Sequence, residues 1–190
     1  MLISWAKVHP SEAANLVWKQ RDGSYIVMFK GGGSVPVSSE DLVAAGKSRL
    51  IRTEQNDEWA KVVLTSFVKL KCGSGALDFS ATDWIYAGEI GSCLTGRPSA
   101  SFDIKPETLD AKGRIHMGEP VALPILKEKL NAMRGKPMVA YTDRRIHIWA
   151  VMSYDPAHGR VLVRNPRLRT SEWISDKQFS QRFQLLVYTE

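Results

Sequence analysis

His147 and Asn165 are the two side chains whose types and spacing point most directly to chemistry. The histidine falls inside the apolar run "IHIWAVMSY" and the asparagine closes "RVLVRN". On a strand, Ile146, Ile148, Ala150 and Met152 would take one face and His147, Trp149 and Val151 the other. "DPAHG" between the two runs reads as a turn, with Pro156 and Gly159 supplying its backbone geometry. Antiparallel pairing through that turn returns Asn165 to the region of His147. A carboxamide that accepts from one imidazole nitrogen holds the ring's tautomer and leaves the other nitrogen to polarise a thiol. The same spacing also suits a buried histidine bonded to a neighbour and an asparagine closing a strand.

A thiol partner is harder to find. Cys72, in "CGSG", ends a helix that begins at Asp57, where the helix dipole disfavours a thiolate. Cys93, in "GSCLTGRP", runs into a turn and heads no helix. Both read as small buried hydrophobes. Two cysteines are too few for a disulfide framework, and no CxxC or His-rich spacing suggests zinc. His158 belongs to a turn, while His9 and His116 fall in surface segments. Glu54, Asp57 and Glu58 read as an acidic helix start, since no calcium-ligand loop accompanies them. The six tryptophans, Trp149 among them, are read as core or cleft wall.

The elements that must position these residues follow from periodicity. "LISWAKVHPSEAANLVWKQ" reads as a short helical piece, a break at Pro10 and a second helix with Ser11 as N-cap. "GSYIVMFKGGGSVPV" is a hairpin in which Gly31, Gly32 and Gly33 permit positive φ, and Pro36 marks an edge strand. From Asn56 as N-cap, Trp59, Val63, Phe67 and Leu70 recur at helical spacing up to Gly73. The stretch 74–118 has no clear period and reads as short helical turns and loops. "VALPILKEKLNAMRGKP" is an amphipathic helix stopped by Gly135 and Pro137. "MVAYT", "IHIWAVMSY", "RVLVRN" and "QLLVY" are strands, with "SDKQFSQRF" a helix before the last. The expected class is α+β.

With 190 residues, 44% of them hydrophobic, the chain can fill a substantial core. Its formal charge is +6, but basic residues are scattered among 20 acidic ones, which argues against specific nucleic-acid binding. "MLISWAKV" is interrupted by lysine too early for a signal peptide, and no apolar run reaches membrane-spanning length. The expected setting is the cytoplasm, without a membrane partner.

"HIWAVMSYD" followed by "VLVRNP" resembles the His and Asn strands of the calpain-like (C2) cysteine peptidases, in which histidine opens an "AYAV" strand and "RNPWG" follows. "DGSYIVMFKGGGSVPVSSEDL" with "EWAKVVLTSFVKL" is similar to that family's hairpin, its "V-x-D-D-L" turn and its next helix. "SDKQFSQRF" is similar to its closing "F-x-M-S-x-x-x-F-x-x-x-F" element. The resemblance implies a papain-like fold: residues 1–119 as a helical part with a β-hairpin, the remnant of a Cys-bearing lobe, and residues 120–190 as a β-rich lobe carrying the histidine and asparagine. It implies a Cys-His-Asn endopeptidase with His147 as general base and Asn165 as its orienting partner, acting on protein or peptide substrates. No cofactor is expected, with calcium suggested only by analogy to animal calpains. "MLISWAKVHP" is similar to "F-L-A-S-L-A-A-V-x-x-P" at Leu2, Ser4, Ala6, Val8 and Pro10, which sets the family's cysteine two positions before Met1 and its oxyanion-hole glutamine further upstream. On that alignment the chain as given lacks its nucleophile and is inactive. Arg167 and Leu168 stand where the family has Trp and Gly, so the tryptophan that shields the His-Asn bond is missing. Two rival readings follow: a pseudoprotease that binds peptides or proteins, and a toxin or effector peptidase domain cut from a larger polypeptide.

Overall fold

Tyr25, Val27 and Phe29 are buried in alternation along β2 (Tyr25–Phe29), and Val35 and Val37 along β3 (Gly33–Val37), as a sheet with one covered face requires. These strands come from a computed structural model that describes residues 1–47, 58–73, 77, 87–142, 147–166 and 168–190. Its class is α+β: among the described residues, helices α1 to α7 accompany three antiparallel sheets. Chain contacts divide it into one unit of Leu2 with His9–Arg97, and another of Met1, Ile3–Val8 and Pro98–Glu190. That division falls at Arg97/Pro98, where the sequence reading sets it at 119/120.

In the unit around His9–Arg97, β1 (Val17–Lys19), β2 and β3 form a three-stranded sheet with β3 at an edge, the position expected from Pro36. Helix α4 (Glu58–Cys72) packs against all three strands and buries Ala60, Val63 and Phe67. It stops at Gly73, whose φ of 71° is the left-handed cap expected there. Asn56, the expected N-cap, lies outside the described residues. Of the glycine triplet only Gly33 has positive φ (73°). Gly31 serves another purpose: its N–H donates to Cys93 O at 2.9 Å, and a Cβ would stand 2.5 Å from Ser92 O of α5 (Ala87–Thr95). The break expected at Pro10 is present one residue earlier, at His9, where a first helix has ended at Val8. Pro10 opens α2 (Pro10–Ala14) with His9 in the cap position, because its fixed φ suits a first helical turn, and Ser11 is therefore not the cap. Leu16–Lys19 leaves that helix to become β1 and the approach to it. Helix α3 (Ser39–Lys47) starts on a reciprocal cap, Ser38 N–H to Asp41 Oδ2 at 2.7 Å and Asp41 N–H to Ser38 Oγ at 3.1 Å.

The second unit is built on a six-stranded antiparallel sheet in the order β10, β9, β8, β7, β11, β4. Strands β7 (Met138–Thr142), β8 (Ile148–Asp155), β9 (Arg160–Asn165) and β10 (Thr170–Ser175) form a meander. After helix α7 (Asp176–Arg182), β11 (Phe183–Thr189) returns to the far side of β7 and pairs with β4 (Ser99–Asp103) at the edge. Leu126, Leu130 and Met133 of α6 (Leu123–Ala132) and its end, together with Phe179 of α7, meet Trp149, Val151, Tyr154, Val161 and Val163 in one core. Ser175 and Gln178 cap α7 reciprocally, a capping box. The strands and helices expected after residue 120 are present. Strand β10 was not expected, because Thr170, Ser171, Glu172 and Trp173 are exposed and carry no apolar alternation. Where short helical turns and loops are expected over 74–118, the described part contains α5, β4 and the exposed hairpin of β5 (Glu107–Leu109) and β6 (Ile115–Met117).

Helix α1 (Leu2–Val8) is fastened by one hydroxyl. Ser4, 1% exposed, donates to Val151 O and accepts from Met138 N–H, both at 2.9 Å, bridging two residues that are register partners in β7 and β8. The side chain thus satisfies two buried backbone groups at once. No described helix is long and apolar enough to cross a membrane.

Candidate active site

The pairing of β8 with β9 contains one irregularity, and the site depends on it. From the turn, Asp155 faces Arg160, Tyr154 faces Val161 and Ser153 faces Leu162, but Val151 faces Val163 and Ala150 faces Arg164. Met152 is the extra residue of a β-bulge. Were Met152 paired in a regular ladder, Asn165 would fall opposite Ala150, on the face away from Trp149. With the bulge, the register carries Asn165 opposite Trp149, and facing residues share a side of the sheet. His147, two residues before Trp149, therefore projects to the same side as Asn165. The bulge also explains why Trp149 and Val151 are buried before it and Tyr154, rather than Ser153, after it.

The two side chains meet. His147 Nε2 lies 3.1 Å from Asn165 Oδ1. The direction of this bond follows from a second one, because Leu168 N–H donates to the same Oδ1 at 3.3 Å and so marks that atom as the carbonyl oxygen. Nε2 must then carry the proton, and in the neutral ring Nδ1 keeps its lone pair. That is the arrangement of a base held in one tautomer. Asn165 is 5% exposed and His147 is half-buried. The histidine backbone is held as well, its carbonyl accepting from Thr142 N–H at 2.9 Å and Thr142 Oγ1 at 3.3 Å.

A layer of aromatic groups lies beside the pair. The His147 and Trp149 rings stand edge to face with centroids 5.8 Å apart, and Trp149 meets Phe183 in the same way at 6.0 Å. The Arg182 guanidinium sits 4.0 Å from the Trp149 ring centroid and is itself held by Glu172 at 2.7 Å. The indole N–H of Trp149 is buried and has no acceptor among the described residues. Arg167, where the resembled family has its shielding tryptophan, lies outside the described residues. Trp149, expected as core or cleft wall, is a member of the core; its pairing with Arg182 has no sequence signal, since α7 is remote in the chain.

Neither cysteine is set up as a nucleophile. Cys72 occupies the last position of α4, at the negative end of the helix, and Cys93 lies in the last turn of α5, where burial pushes its thiol pKa up. Both belong to the unit around His9–Arg97, whereas His147 and Asn165 belong to the other. His158 and His116 serve turns: His158 Nδ1 lies 2.8 Å from Asp155, and His116 Nε2 3.1 Å from Asp110. His9 lies 3.5 Å from Glu12. Glu58 accepts from the Tyr25 hydroxyl at 2.6 Å, while Glu54 and Asp57 lie outside the described residues. Among the described residues no cluster of three or more His, Cys, Asp or Glu side chains could hold a metal ion. No protein-family model matches this chain, and a search of curated proteins returns no match.

Proposed function

We propose that the chain is a calpain-like cysteine peptidase domain of papain-like fold, in which His147 and Asn165 are the base and its orienting partner in a Cys-His-Asn mechanism. The observation that carries this reading is the 3.1 Å bond from His147 Nε2 to Asn165 Oδ1, with the amide orientation set by Leu168 N–H. In this mechanism Nδ1 takes the thiol proton, and the thiolate attacks the peptide carbonyl carbon. The imidazolium returns the proton to the amine as the C–N bond breaks. Water, deprotonated by the same imidazole, then hydrolyses the thioester and frees the thiol. Cys72 and Cys93 do not supply that thiolate.

The second reading, a pseudoprotease that binds peptide or protein in the old cleft, is favoured by the positions of those two cysteines and by Arg167 in place of the shielding tryptophan. Cleavage of a fluorogenic casein by the full natural polypeptide separates the two. The peptidase reading expects turnover that His147→Ala abolishes, that Asn165→Ala lowers roughly tenfold to a thousandfold by freeing the ring's tautomer, and that the Cys72→Ala/Cys93→Ala double variant retains. Absence of turnover together with casein binding that survives His147→Ala supports the binding module.

A further inference from the structure

Lys30, Lys69, Lys127, Arg160 and Arg182 each lie within 3.1 Å of a carboxylate. Lys7, Arg134 and Lys136 have no carboxylate at ion-pair distance among the described residues, and all three line one cavity of about 390 Å³, with the Lys136 ammonium 5.7 Å from the centroid of the Tyr188 ring outside it. No aspartate or glutamate lines that cavity. Its size falls in the range of about 300–1,000 Å³ usual for small-molecule sites.

The three cations come from two elements. Arg134 and Lys136 flank Gly135, whose φ of 78° turns the chain after α6, and the C-terminus of a helix is a natural place for a cation. Lys7 likewise stands in the last turn of α1. It lies one turn along α1 from Ser4, and the Ser4 hydroxyl bonds fasten that helix over β7 and β8. Between the cations the cavity is lined by Met138, Met152 and the hydroxyl-bearing Ser153. Cations that line one cavity without an acidic residue give it a positive potential that favours an anion. Val151, the lining residue nearest to His147 along the strand, is four residues from it, roughly 13 Å at the strand rise, and neither His147 nor Asn165 lines this cavity.

We propose that this cavity binds a small organic anion carrying at least two negative charges, with Lys7, Arg134 and Lys136 as its charge partners and the methionine side chains as the floor for its carbon skeleton. Phosphoryl and carboxyl groups share the necessary chemistry.

Isothermal titration calorimetry of the full chain at low salt, with pyrophosphate and citrate as separate probes, tests the assignment. Saturable binding of at least one probe is expected, with pyrophosphate alone indicating a phosphoryl ligand and citrate alone a carboxylate. The Lys7→Gln/Arg134→Gln variant, altered at exposed positions that do not threaten folding, should bind tenfold or more weakly. The Lys112→Gln/Lys177→Gln variant removes the same charge from exposed positions outside the cavity and should bind as the parent does. No binding of either probe, or equal weakening in both variants, overturns the proposal.

Discussion

The hairpins β5–β6 and β8–β9 turn on the same chemistry and differ in everything else. In the first, Asp110 accepts from Lys112 N–H, Arg114 N–H, Arg114 Nε and His116 Nε2. In the second, Asp155 accepts from His158 N–H, His158 Nδ1 and Arg160 Nε. An aspartate answering a histidine and an arginine closes both. Yet β5 and β6 are exposed, with Leu109 at 71% and Ile115 at 66%, whereas β8 and β9 bury Trp149, Val151, Tyr154, Val161 and Val163. Turn chemistry is enough to place a hairpin. Only burial on one face fixes its register tightly, because a one-residue slip would turn every apolar side chain to the wrong side. The His147–Asn165 pair sits on the hairpin whose register the core enforces.

The sharpest way to break that contrast is to delete Ala150, from the regular part of the β8–β9 ladder. With Val151 held opposite Val163, His147 and Trp149 must then turn to the face away from the core. We expect loss of the cooperative melting transition in circular dichroism, whereas deletion of Ala111 from the other turn should leave it in place. A wild-type melt for the Ala150 deletion would refute the register argument. Phe179→Ala, at a fully buried position that covers the β8–β9 face, should cost about 3–5 kcal/mol in chemical denaturation. Leu109→Ala on the exposed hairpin should stay within about 0.5 kcal/mol.

A smaller effect sharpens the same point. Ser4→Ala leaves Met138 N–H and Val151 C=O without their buried bridge, so the denaturation midpoint should fall by the equivalent of about 1–3 kcal/mol. An unchanged midpoint would mean that the two strands close directly.

The smallest effect is one of pH. The Arg114 backbone N–H, helped by the His116 and Arg114 side chains and Lys112 N–H, holds the Asp110 carboxyl at about 2 against a desolvation that raises it. A carboxylate whose pKa is lowered on folding stabilises the fold above its unfolded value near 3.8 and loses that contribution as pH falls through about 2. Amide chemical shifts of Leu109 and Ile115 should therefore move between pH 4 and 2. Asp110→Asn should abolish the movement and leave melting of the six-stranded sheet unchanged.

The legible parts of this chain are those where periodicity and punctuation agree. Helix α6 with its stop at Gly135, strands β7, β9 and β11, the edge position of Pro36 and the cap at Gly73 could all be read in advance, because each is set by neighbours within a few residues. Strands β4 and β10 could not. They lie at the two edges of the large sheet, where a residue need not be apolar to pair, so their alternation is faint. Gly31 was misassigned for a related reason, since the backbone that crowds it belongs to α5, far along the chain.

The site divides along the same line. The residue types, the two strands, the turn at Asp155 and the alternation that puts His147 with Trp149 are properties of the sequence, dictated by local backbone geometry. Which face Asn165 would share was not among them. Simple pairing through the turn sends it to the face away from His147, and the bulge at Met152 reverses that outcome. The bulge is the register at which Trp149, Val151, Tyr154, Val161 and Val163 can all reach a single core beneath α6 and α7. That choice belongs to the packed tertiary structure, because it is made by the summed burial of side chains from seven elements, α6, α7, β7, β8, β9, β10 and β11, and not by any stretch of the chain alone.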